Sequence, residues 1–218
     1  MGRHSQHGVA PKIDVPREHW DRAFAPSSLV STITTVNAAG DVNAASFGTC
    51  TRVSHEPVTL AFAVGIGKDT SDNVLATGEF VVNVPAFDRR QLESVCVAGL
   101  DFAPGANELK HANLTAVPSR VVAPPRIAEF GRHFECRVEW TKAWRDRLLV
   151  VGVVVAVSCA AGVLDGEGDL VWEVAKPAHY CGWPYGRSFV AAYDVMTVDL
   201  PYDGPEATAG ERIVEMKA

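Results

Sequence analysis

The chain has 218 residues, 47% of them hydrophobic and 21% charged, enough for one domain with a substantial core. A formal net charge of −6 sets its surface against a phosphate backbone or an anionic membrane, so neither nucleic acid nor membrane is an expected partner. Five cysteines, an odd number with no CxxC pair, fit small buried reduced thiols in a cytosol better than a disulfide framework or a zinc site, and no metal is expected.

Residues 1–25 read as an N-terminal extension in which Arg3, His4, His7 and Lys12 stand among polar residues. It lacks the apolar stretch of a secretory signal, so a cytoplasmic location is expected. Residues 29–35 are β-branched and alternating, and residues 37–41 supply a glycine-centred turn before Val42, the pattern of a hairpin. Further strands are expected at 58–64, 79–84, 134–140 and 148–157. The last lies in an apolar run, 148–161, broken only by Gly152 and Ser158, too short to span a bilayer and too rich in valine for a helix. Two short helices are predicted, at 71–77, ended by Gly78 where a left-handed cap is favoured, and at 88–98, ended by Gly99. Residues 101–125, with Pro104, Gly105, Pro118, Pro124 and Pro125, predict an irregular excursion with one helical turn, lying over a barrel mouth. Residues 26–200 are the expected domain, and 201–218, rich in Gly, Pro and charge, a loosely held tail. Many short strands with few helices indicate a closed or partly closed barrel.

Three segments carry candidate chemistry. Val64-Gly65-Ile66-Gly67-Lys68-Asp69-Thr70-Ser71-Asp72-Asn73 follows a strand and opens a helix, so its amides and the Lys68 charge form a cradle for a phosphate monoester. Phe62 stands where a Walker A loop needs its first glycine and Asp69 where it needs Ser or Thr, while Gly-Ile-Gly lacks the third glycine of a dinucleotide fingerprint. The plain alternative is a turn in which Asp69 or Thr70 caps the helix, and capping and phosphate binding can coexist. The second segment, Asn43, Ala44, Ala45, Ser46, Phe47, Gly48, Thr49, Cys50, Thr51 and on to Ser54, is a small and hydroxyl-rich stretch between two strands, where a planar ring could lie against backbone; a surface loop would look the same. The third, His179-Tyr180-Cys181-Gly182-Trp183-Pro184-Tyr185-Gly186-Arg187, could wall a substrate pocket, with Trp183 or Tyr185 on a ring and Arg187 on a phosphate or carboxylate, or could seal the core. His133 and Cys136 are too few ligands for a metal, and Cys136 has no paired base.

Residues 43–57, with Gly67-Lys68-Asp69-Thr70, Asn73 and Thr77-Gly78-Glu79-Phe80-Val81-Val82-Asn83-Val84, resemble the flavin reductase-like family. The later segments Phe134-Glu135-Cys136-Arg137-Val138, Val151-Gly152-Val153-Val154 and Val163-Leu164-Asp165-Gly166 are similar to its barrel strands, and the resemblance spans about residues 26–189. It implies a mainly β fold, an FMN-binding split β-barrel with a few short helices, that dimerises with FMN near the subunit interface. Carried over by position, Lys68 and Thr70, with Asp69 and Asn73 beside them, would hold the FMN phosphate. Asn43, Ala44, Ala45, Ser46, Phe47, Gly48, Thr49, Cys50 and Thr51 would line the ribityl chain and ring, much of the contact being backbone. The chain departs from the family in having Thr49 and Cys50 late in the first stretch, and Asn107-Glu108-Leu109 in place of Asp-Lys-Phe, which weakens the case for the usual pyridine-nucleotide site.

The leading expectation is therefore an FMN-dependent oxidoreductase of the NAD(P)H:flavin reductase type, drawing on NADH or NADPH and serving free flavin, oxygen or a partner oxygenase. No side-chain acid, base or nucleophile need be visible, because the cofactor carries the chemistry. One alternative is an FMN protein acting on a bound organic substrate shaped by His179, Trp183, Tyr185 and Arg187. The other is a non-catalytic flavin-binding or electron-transfer protein.

Overall fold

A computed structural model describes residues 11–103 and 105–198. A 3-10 turn and α1 (Trp20–Ala23) lead into β1 (Ser28–Val36), β2 (Val42–His55), β3 (Val58–Gly65), α2 (Asp69–Thr77), β4 (Glu79–Val84) and α3 (Arg89–Ala98). After α4 (Glu108–His111) come β5 (Ala116–Val117), β6 (Arg126–Ile127), β7 (Arg132–Trp144), β8 (Arg147–Cys159), α5 (Trp172–Ala175), β9 (Ala178–Tyr180) and β10 (Phe189–Ala191). The antiparallel order β1-β2-β3-β8-β7-β4 returns to β1 through Thr32↔Asn83, Ile33↔Val82 and Thr34↔Val81, closing a six-stranded barrel. Closure removes the free edges that an open sheet would expose. β9 and β10 form an arm outside the barrel, joined to β1 at Ser28↔Tyr180 and Leu29↔His179.

Alternation sorts side chains between two cores. From β1, Leu29 and Ile33 face the barrel interior, where Phe47, Phe62 and Phe80 stack edge to face with centroids 5.1 Å apart, beside Val82, Cys136 and Val150. Val30 and Ala44 face outward, into a second core with Leu92, Val95, Leu109, Ile127 and Phe130. Gly152 interrupts the valine run of β8 where a Cβ would lie 2.6 Å from Phe80 Cε1.

Several expectations change. Residues 43–54 do not lie between strands but form most of β2, because ladders to β1 as far as Cys50 and to β3 from Thr51 onward outweigh their modest strand propensity. α2 starts at Asp69, two residues early, and Gly78 takes the left-handed cap at φ 70°, whereas Gly99 has φ −90°. β7 runs on to Trp144 because β8 pairs with it as far as Trp144↔Arg147. The 101–125 excursion covers the outer barrel wall rather than a mouth: Thr34 Oγ1 donates to Pro125 O, and Glu135, facing outward from β7, accepts the amides of Arg120 (2.9 Å) and Val121 (2.7 Å). Of the cysteines, only Cys50 and Cys136 are fully buried. The expected tail lies outside the described residues. Among the described residues no helix is long and apolar enough to cross a membrane, and no cluster of His, Cys, Asp and Glu is placed to hold a metal ion.

Candidate functional site

The barrel is forked. β2 and β3 pair from Thr51↔Ala61 to His55↔Val58, but no register joins residues 43–49 to β3. At the fork Thr49 Oγ1 donates to Ala63 O at 3.2 Å and accepts from Ala63 N at 3.3 Å, so a side chain continues the ladder where the backbones part. A bulge accompanies it: Leu29 faces Cys50 while Ser31 faces Phe47, placing one extra residue on β2 at Gly48–Thr49. Gly48 O accepts the Ser27 (2.8 Å) and Ser28 (2.6 Å) hydroxyls, which fix the bulge.

Gly48 also permits a close approach. A Cβ there would lie 2.4 Å from Tyr180 Cδ1, so the ring of Tyr180, carried on β9, packs directly onto the bulge. Around this contact lies a depression of about 600 Å³ whose walls include Ser46, Gly48, Cys96, Leu100, Tyr180, Trp183 and Arg187. A second of about 380 Å³ continues to the fork at Thr49, Ala63 and Arg147, sharing Gly48, Tyr180 and Trp183 with the first. The larger falls in the size range of small-molecule sites. Trp183 is 87% exposed at its rim. At the fork end Gly65 separates two cations: a Cβ on it would lie 3.3 Å from Lys68 Cγ and 3.8 Å from Arg147 Nη1. Lys68 Nζ donates to Asp101 Oδ1 at 2.7 Å, and that bond holds the Asp101 carboxyl below the usual carboxylate range. Both partners are exposed, so the pair is loosely held and an anion can take Asp101's place.

The predicted residues separate into groups. Ser46, Gly48, Thr49 and Lys68 lie in or beside the groove, as do Trp183 and Arg187. Ala45, Phe47 and Cys50 pack in or against the barrel core, although the edge of Phe47 reaches the groove. Burial pushes the Cys50 thiol up to about 12, so it is no nucleophile. Asn43, Thr70 and Asn73 bond to one another's surroundings: Asn43 Nδ2 donates to Thr35 Oγ1 (3.1 Å) and Thr70 Oγ1 (2.9 Å), and Asn73 Nδ2 donates to Thr35 Oγ1 (3.0 Å). These three tie α2 to the barrel. Asp69 lines a different, acidic pocket with Asp41 and Glu108, and Ala44 contributes its side chain to the outer core and its amide to Glu108. Thr51 pairs with Ala61 in the β2–β3 ladder. Tyr185 donates from its hydroxyl to Arg22 O at 3.1 Å and so anchors the N-terminal segment, and His179 sits in the β1–β9 ladder. Asp101, Cys96 and Arg147 carry no local sequence signal for the groove, and Tyr180 belongs to the third segment without a role there; a glycine in the middle of β2 is the sign that something packs closely on it.

The flavin reductase like domain model matches residues 25–181. The chain belongs to that family. The chain is similar to a protein of Halalkalibacterium halodurans, 38% identical over 115 residues, a match that spans 50% of this chain and 54% of that relative, about half of each. Among solved structures, nitrilotriacetate monooxygenase component B from Bacillus cereus superposes with a TM-score of 0.73 at 21% identity, covering 90% of this chain and 100% of that one. The FMN-binding protein from Thermus thermophilus superposes at 0.64 and 16% identity, covering 87% and 99%. At these identities the structures establish the split-barrel fold. The groove's donor set fits a flavin: aromatic faces from Tyr180 and Trp183 along its length, with Lys68 and Arg147 near one end.

Proposed function

We propose that this flavin reductase-like protein is an FMN-dependent oxidoreductase of the NAD(P)H:flavin reductase type. The observation that carries the reading is the groove over Gly48, aromatic in its middle and cationic where the barrel forks. Lys68 and Arg147 flank Gly65 at the fork, a pair of cations suited to one phosphate, which favours FMN over FAD, and the fold neighbours include an FMN-binding protein and a monooxygenase component. Lys68 would exchange its exposed bond to Asp101 for the phosphate, with Arg147 as a second cation. Tyr180, fixed against Gly48, would place the ring, and Trp183 would cover it from the rim and limit water access. The chemistry supplied by bound FMN is hydride acceptance and onward electron transfer. NADH or NADPH is the proposed donor, and free flavin, oxygen or a partner oxygenase the acceptor.

A homodimer completes the proposal, because Val53 on β2 and Trp140 and Trp144 on β7 leave apolar side chains on the surface at 55%, 46% and 60% exposure. A second reading, action on a bound organic substrate, is favoured by Glu108, which stands where relatives carry a lysine and is buried against Ala44 N at 3.2 Å.

The test is Lys68→Ala. Losing a charge-assisted bond to phosphate costs about 1.5 to 3 kcal/mol, so FMN affinity should fall roughly tenfold to a hundredfold. Riboflavin, which lacks the phosphate, should bind the variant as it binds the parent. FMN affinity within about twofold of the parent would place the phosphate elsewhere.

A further inference from the structure

Beyond the Leu100 wall of the groove lies another depression, of about 610 Å³, between α3 and the start of β10. It shares Cys96, Leu100, Arg187 and Phe189 with the aromatic groove, so the two hollows stand side by side. Its floor is apolar, built from Phe87, Leu92 and Val97. Arg187 is exposed, and among the described residues it forms no hydrogen bond and no ion pair, whereas Arg89 on the far rim is paired with Glu93 at 3.1 Å. The segment bearing Arg187 is held in place: Cys181 N donates to Ser188 O at 3.0 Å and Ser188 Oγ donates to Tyr185 O at 2.8 Å. A fixed turn thus presents one unpaired guanidinium over an apolar, aromatic-lined hollow.

We propose that this hollow takes a planar aromatic monoanion, an aryl carboxylate, with its carboxylate on Arg187 and its ring on Phe87, Leu100 and Phe189. A guanidinium binds a carboxylate through two parallel bonds; Arg89 and Glu93 also line the hollow but are paired with each other, which leaves Arg187 as the guanidinium that can make them, and the apolar floor disfavours a second charge on the ligand. The proposal rests on the flavin occupying the neighbouring groove, and it names the class of small molecule that would sit beside it. This ligand site is distinct from the phosphate end, since none of Lys68, Asp101 and Arg147 lines the hollow.

The test is calorimetric titration of the FMN-loaded protein with 2-naphthoate and with 2-naphthylmethanol, which has the same ring system but no charge. The acid should bind at one site per chain, about tenfold or more tighter than the alcohol. Arg187→Gln, a change at an exposed side chain that leaves the core untouched, should abolish that preference while alcohol binding stays within about twofold. Val97→Trp, which fills the hollow from α3 and does not line the aromatic groove, should weaken naphthoate about tenfold and leave FMN affinity within about twofold. Equal binding of acid and alcohol, or an unchanged preference in Arg187→Gln, overturns the proposal. So does naphthoate that displaces FMN, since the two would then share one groove. Failure of the protein to take up FMN at all is read separately, from flavin fluorescence before any naphthoate is added, and counts against the flavin reading.

Discussion

Gly48→Ala isolates the contact on which the groove is built. The added Cβ would sit 2.4 Å from Tyr180 Cδ1 and 3.1 Å from Tyr180 Cβ and Cγ. Carbon atoms pack best at about 3.5–4.0 Å, so the ring must retreat by more than about 1 Å. It cannot do so freely: Tyr180 is paired with Ser28 and Phe189, and its ring packs on that of Phe189 with centroids 5.8 Å apart. Overpacking of this kind costs about 1–3 kcal/mol, and replacing a glycine within a strand returns about 0.5–1 kcal/mol of chain entropy. The net loss lies within about 0–2.5 kcal/mol and centres near about 1.3 kcal/mol, equivalent at that centre to a fall of roughly 3–5 °C in melting temperature for a chain of this length. Differential scanning calorimetry measures it, and fluorescence titration measures FMN, whose affinity should drop about tenfold as Tyr180 is pushed into the groove. In a Tyr180→Ala background only the 3.1 Å contact to Cβ survives, so the same substitution should cost much less. A variant that melts within about 1 °C of the parent and binds FMN equally well would show that the bulge and the ring are not interlocked.

The remaining predictions concern the scaffold. Glu135, 1% exposed, accepts the Arg120, Val121 and Val122 amides, so Glu135→Gln sets an amide NH₂ among donors and should destabilise by about 1–3 kcal/mol. Limited proteolysis should then cut within residues 118–125, and an unchanged digestion pattern would contradict the anchoring role. His133 is buried against Asn83, whose Oδ1 already accepts from Ile127 N and therefore accepts from His133 Nδ1–H as well. Burial, aided by Arg126, lowers its pKa from 6.5 to about 4. The unfolded chain then binds the extra proton first, so this site's stability is present above about pH 6.5 and is lost as pH falls toward 4. Urea denaturation at pH 7 and pH 4.5 should show a steeper loss in the parent than in His133→Gln, and parallel losses would refute the assignment.

Much of the barrel was legible because β1, β3, β4 and β8 carry their periodicity or their valine content within one short window. β2 was harder. Its small and hydroxyl side chains say little by themselves, and its strand state comes from a ladder with β1 and a partial ladder with β3. The site divides in the same way. Lys68 stands out locally, as a cation in a glycine turn, but Arg147 reaches Gly65 only because the β7–β8 hairpin folds beside β3. Thr70 and Asn73 match the motif by position, yet their side chains are spent on Asn43 and Thr35, a partnership fixed by the docking of α2 rather than by spacing. Tyr180 was visible as an aromatic residue, and its role depends on a glycine far away in the chain.

One edge of β1 is shared between two clients. Ser28 and Leu29 hold β9, while Thr32, Ile33 and Thr34 close the barrel against β4. The arm that bears Tyr180, Trp183 and Arg187 therefore pairs with β1 at residues other than those of the closing seam, and its detachment would leave that seam whole. Hydrogen exchange should divide there, with amides of β9 and β10 trading with solvent through small openings while those of Thr32 to Thr34 wait for global unfolding. A fold arranged in this way can remodel the walls of its groove, by mutation or by motion, without reopening the question of whether the barrel holds.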